Sequence, residues 1–103
     1  MLAHIVYFTL KDDSPAAVER LIAGCRRDLS GHEGEVFFAA GARAVEFARA
    51  VNDDQFHVAL CVVFTDKSAH DAYQAHPRHA QFIAEHSDNW KQVRVFDACV
   101  EGV

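Results

Sequence analysis

The chain is poor in the residues that interrupt or staple a fold. Two prolines and five glycines in 103 residues leave no proline-rich or glycine-rich stretch to serve as a linker. Three cysteines are an odd and widely spaced set, which argues against a disulfide framework or a zinc site. Cys25, Cys61 and Cys99 each stand among apolar neighbours and are expected to be buried, reduced thiols. Cys61 has no basic residue two positions away to lower its pKa, so it is not read as a nucleophile. Basic excess is missing too: ten Lys and Arg against fifteen Asp and Glu give a formal net charge of −5, which disfavours nucleic acid and anionic membrane as partners. No run of about 18 apolar residues occurs, so no membrane span is expected. Met1-Leu2-Ala3-His4 enters an apolar stretch with neither a basic region nor a cleavage site, so the expected location is the cytoplasm. What remains is 50% apolar and 24% charged, the balance of one globular domain over residues 1–103.

Periodicity assigns the elements. Residues 3–10 alternate His4, Val6 and Phe8 with Ile5, Tyr7 and Thr9, a strand that is apolar on both faces. Ser14 before Pro15 is an N-cap and first-turn pair, and Val18, Leu21, Ile22, Cys25 and Leu29 recur at helical spacing until Gly31 offers a left-handed stop. A second strand runs from Val36 to Ala40, with Gly41 expected to end or bulge it. Residues 42–51 read as an extended arm. A third strand then sets Phe56, Val58, Leu60, Val62 and Phe64 on one face and Ala59, Cys61 and Val63 on the other. Asp66 caps a helix to about Ala75, Pro77 interrupts it, and His76 serves as the cap between the two pieces. The second piece carries His79, Phe82, Ile83 and His86 at i, i+3, i+4 and i+7. Residues 93–100 form the last strand.

Strand, helix, strand, strand, helix pair, strand is the order of an α+β ferredoxin-like fold: a four-stranded antiparallel sheet with helices on one face. Helices on one side leave strands that are apolar on both faces with one face uncovered. Either the 42–51 arm folds over that face or a second copy covers it. The two-fold pairing of sheets into a dimeric α/β barrel is preferred because it needs no further element.

The segments AHIVYFTLK, FHVALCVVFTD and AYQAHPRHAQF resemble the stress-responsive A/B barrel (Dabb) family, and the likeness covers nearly the whole chain. Its most specific part is Tyr73-x-x-His76-Pro77-x-His79 after a strand ending in Phe64, with His4 near the start and Asp97 in a final VFD. The resemblance implies a homodimeric barrel with a helix-roofed apolar pocket in each subunit and members mostly of unassigned activity. The family also includes a polyketide cyclase in which a histidine and a tyrosine act as base and partner, positions that match His79 and Tyr73. The pocket-lining positions of that cyclase fall on His4, Val6, Phe8, Leu60, Phe82, Trp90 and Val95. His57 stands where members often carry aspartate.

The residues permit two functions. A non-enzymatic barrel would hold an apolar or carbonyl-containing small molecule. A cyclase-like or lyase-like enzyme would use His79 to take a proton beside a carbonyl and Tyr73 to hold the base or the developing oxyanion. Against both stands a purely structural His79, bonded to a backbone carbonyl or to Tyr73 at the helix junction. His4 is read as a pocket group or, preferably, a strand-end residue bonding a neighbouring main chain, and Trp90 as core. His70, His76, His79 and His86 invite a metal, but no carboxylate or thiol shares their helical spacing, so neither a metal nor an organic cofactor is expected.

Overall fold

The computed structural model describes residues 1–102. Strand β1 (Leu2–Leu10) is followed by helix α1 (Pro15–Leu29), strands β2 (Glu35–Ala42) and β3 (Val58–Phe64), helices α2 (Lys67–Ala75) and α3 (Pro77–His86), a short 3-10 turn and strand β4 (Trp90–Cys99). The strands form one antiparallel sheet in the order β2-β3-β1-β4, the ferredoxin-like arrangement. Apolar alternation places Val6, Phe8 and Leu10 of β1 with Val58, Leu60, Val62 and Phe64 of β3 on the helix side. There they pack on Leu21, Ile22, Cys25 and Leu29 of α1, Tyr73 of α2 and Phe82 of α3.

The helix boundaries follow local chemistry. Ser14 accepts from the Ala17 N–H and Asp66 accepts from the Ala69 N–H, each satisfying a donor that the first helical turn leaves open. Gly31 takes φ +77° just past the end of α1, a conformation open to glycine at little cost. Pro77 begins α3, and the N–H of Arg78 donates to His76 Nδ1, so the histidine before the proline is the cap expected of it.

Four expectations need correction. Gly41 neither ends nor bulges β2, because the ladder continues through Gly41–Ala59 to Ala42–Val58; the irregularity lies at the other end, between Glu35 and Phe37. Phe56 does not share the face of Val58: pairing with β2 starts only at Val58, and the Phe56 ring packs edge-on against Tyr7 on the opposite side. Strand β4 starts at Trp90 rather than at residue 93, past an irregularity between Thr9 and Leu10 of β1. Cys25 is buried, with its thiol pushed up to about 12 chiefly by desolvation, but Cys61 is half-buried and Cys99 exposed. The arm between β2 and β3 contains only turns and irregular backbone, with Val45, Phe47 and Val51 exposed.

The second sheet face carries Ile5, Tyr7, Phe37, Ala39, Ala59, Cys61, Val63 and Phe96, with no helix against it. The chain is accordingly thin, 34 × 32 × 17 Å. No helix among the described residues is long and apolar enough to cross a membrane.

Candidate functional site

Strand β4 lies at the sheet edge, and between it, β1 and helices α2 and α3 lies a cavity of about 350 Å³ on the helix side. That volume falls within the range of small-molecule sites. Its floor is His4, Val6 and Phe8 of β1, Leu60 of β3, and Val93, Val95 and Asp97 of β4. Its roof is His70, Tyr73 and Gln74 of α2 with His79, Phe82 and Ile83 of α3, and Trp90 closes one end. All nine residues singled out from the sequence (His79, Tyr73, His4, Val6, Phe8, Leu60, Phe82, Trp90 and Val95) thus border one space. Val95 is 50% exposed and Ile83 41%, so these two form the mouth, and Ile83 does not share the burial of Phe82 and His86 on its stripe.

The break at Pro77 brings Tyr73 and His79 together. Six positions apart on one straight helix, they would point to different sides; with α3 restarted at Pro77, their rings meet edge-on with centroids 4.9 Å apart. The Tyr73 hydroxyl is buried and has no hydrogen-bond partner among the described residues. Burial, and then the nearby Cys25 and Glu35, hold its pKa above the usual phenol value, so it is a proton donor to hydrogen bonds rather than a phenolate. The His79 imidazole is pushed the other way, below its ordinary value, by desolvation first and by the neighbouring His4, His32 and His70 second. The site therefore offers a neutral imidazole and a neutral phenol beside an apolar wall. A neutral imidazole can accept a proton, and a buried phenol can donate to an oxygen.

His4 corrects the preferred strand-end reading. It is buried, and its Nδ1–H donates to Asp97 Oδ1 at 2.5 Å, a side chain directly across the β1–β4 ladder, rather than to main chain. His57 lies outside the cavity: its Nδ1 accepts from the Leu10 N–H at 3.0 Å and its Nε2 faces Asp13 at 3.3 Å, which ties the end of β1 to the residues before β3. Beyond the nine, Leu29, His70, Gln74, Ile83, Val93 and Asp97 also line the cavity, and of these His70 is weighed from the sequence only as a metal ligand. His70 stands three residues before Tyr73 on α2, a spacing that places both on one helical face and could have flagged it. A larger hollow of about 480 Å³ lies on the other sheet face beneath the arm, where an Arg94 Nη donates to Asp53 at 2.5 Å.

Comparison with known proteins agrees with this architecture. The family model described as Stress responsive A/B Barrel Domain matches residues 2–100. A Dabb family protein with a ferredoxin-like fold from Mesorhizobium loti superimposes with a TM-score of 0.79 at 23% identity, covering 98% of this chain and 97% of the other. A dimeric ferredoxin-like protein of unknown function from Thermobifida fusca gives 0.79 at 19% identity, over 96% and 90% of the two chains. A hydroxynitrile lyase from Passiflora edulis gives 0.76 at 17% identity, over 99% and 94%. At these identities the structural likeness speaks for the fold. No curated protein matches the chain.

Proposed function

Because the chain belongs to the stress-responsive A/B barrel domain family, we propose that it works as a homodimer, each subunit of which holds a small apolar or carbonyl-containing molecule between the sheet and helices α2 and α3. The observation that carries the pocket reading is the meeting of the Tyr73 and His79 rings at the roof of a cavity whose floor and walls include Val6, Phe8, Leu60 and Phe82. Phe37 and Phe96, left exposed on the second sheet face, support the dimer.

Trp90 is the sole tryptophan and lines the cavity, so its fluorescence reports occupancy. Titration with planar apolar ketones should give saturable quenching. Val95→Phe, which enlarges a side chain at the mouth, should weaken it by about tenfold or more without unfolding the chain, since a half-exposed position tolerates added volume. Flat titrations across the panel would rule out a ligand pocket of this class.

The desolvated imidazole of His79 favours a second, catalytic reading. His79 would take a proton from a carbon next to a carbonyl, the electron pair would move toward the carbonyl oxygen, and the Tyr73 hydroxyl would donate a hydrogen bond to that oxygen. Ring closure or elimination would follow, as in cyclase-like or lyase-like chemistry. On this reading His79→Ala abolishes turnover of a β-dicarbonyl substrate while the dimer stays folded, and Tyr73→Phe slows it by roughly 10²-fold. A wild-type protein inert to such compounds, with a plainly destabilised His79→Ala, would assign His79 to the structure instead.

A further inference from the structure

His4 and Asp97 do not stand alone. His70, on the α2 side of the cavity, faces His4 with ring centroids 4.9 Å apart, and one ligand-type atom from each of His4, His70 and Asp97 lies within 4.8 Å of the other two. The three come from three different elements, β1, α2 and β4, so no local sequence window contains them. From these positions we propose that His4, His70 and Asp97 form a binding site for one divalent transition-metal ion, of the zinc or iron(II) class, at the end of the cavity.

The donor set argues for that class of ion. Two imidazoles and one carboxylate suit borderline first-row dications; magnesium and calcium prefer all-oxygen shells. Three protein ligands leave positions open, as catalytic zinc sites and two-histidine, one-carboxylate iron sites do. Here the open positions face the cavity, where they would take water or the carbonyl or enolate oxygen of a bound molecule.

Geometry sets what must move. With metal–ligand bonds of about 2.0–2.1 Å, tetrahedral ligand atoms stand roughly 3.3 Å apart. The His4–Asp97 contact at 2.5 Å must open slightly, and the His70 side must close from at most 4.8 Å. Buried His4 is the fixed member. The Asp97 side chain is 45% exposed and lies on the edge strand, and His70 sits on a nine-residue helix with Asp71 beside its Nδ1 at 3.3 Å, so both are placed to adjust. A neighbouring carboxylate of this kind is a common partner of ligating imidazoles. The site stands apart from the ligand and catalytic readings, because metal binding needs neither His79 nor a turned-over substrate.

The test uses the full chain, stripped with a chelator and titrated with zinc by calorimetry and with cobalt(II) by visible absorption. One ion per chain should bind. Both His70→Ala and Asp97→Asn should weaken zinc binding by at least about tenfold and change or remove the cobalt band. His57→Gln, outside the cavity, should bind as wild type does. Circular dichroism checks each fold, and should Asp97→Asn unfold, His70→Ala alone decides. Absence of saturable binding to wild type, or binding that His70→Ala leaves unchanged, would overturn the site.

Discussion

His79 and His86 lie seven residues apart on one stripe of α3, yet only His79 reaches the cavity. His86 is buried, its Nε2 has no hydrogen-bond partner among the described residues, and desolvation first, with Arg20 next, holds its pKa below the ordinary value. The sign of the resulting pH dependence follows. Folded-state pKa values below the unfolded value of about 6.5 mean that the unfolded chain takes up these protons first on acidification. The stability tied to neutral His86 and His79 is therefore complete above about pH 6.5 and falls as pH drops from there through the lower folded values. Urea midpoints should decline between pH 7.5 and 5.5, and His86→Leu should flatten part of that decline; a wild-type midpoint constant over this range would contradict it. At Asp28, which Arg27 holds below the carboxylate range by hydrogen bonding, the loss comes only at lower pH.

At the scale of elements, His86 explains a glycine inside α1. A Cβ built on Gly24 would lie 2.2 Å from His86 Nε2, so the close crossing of α1 and α3 depends on that missing atom. Alanine in a helix interior normally gains about 0.5–1 kcal/mol over glycine. Gly24→Ala should instead destabilise by about 1–3 kcal/mol through overpacking, and adding His86→Ala should recover much of the loss in a double-mutant cycle. Additive effects of the two changes would refute the contact. The same elements show what local sequence can reveal. Ser14-Pro15, Asp66 and His76-Pro77 were legible because a cap is a matter of three adjacent residues, and the alternation of His4, Val6 and Phe8 put the three on one strand face, which only the family resemblance marked as pocket-lining. The true start of β4 and the side taken by Phe56 were not, because both depend on where pairing with another strand begins. The His4–Asp97 bond and the approach of His70 likewise arise from the β1–β4 register and from the docking of α2, separations that no periodicity encodes.

For the whole molecule, a slab 17 Å thick has room for one sheet and one helical layer, and the second face keeps Phe37 and Phe96 exposed in the single chain. Sheet-to-sheet pairing would cover it over an interface above about 1,000 Å². Val63 lies on that face, opposite Ala3 and Phe37 in the ladder, whereas Val62 is fully buried under the helices. Val63→Asp should thus abolish the dimer, and light scattering showing either a wild-type monomer at micromolar concentration or a Val63→Asp dimer would refute the pairing. The central claim, that the space under α2 and α3 is a ligand site, is tested most directly by NMR of the 15N-labelled histidine rings during titration with an apolar ketone. Seven histidines are distributed over the molecule, and three of them, His4, His70 and His79, line the cavity. A ligand held there should shift those three rings saturably and leave His57 and His86 unmoved; rings that all stay still, or shifts confined to His57 and His86, would rule the site out.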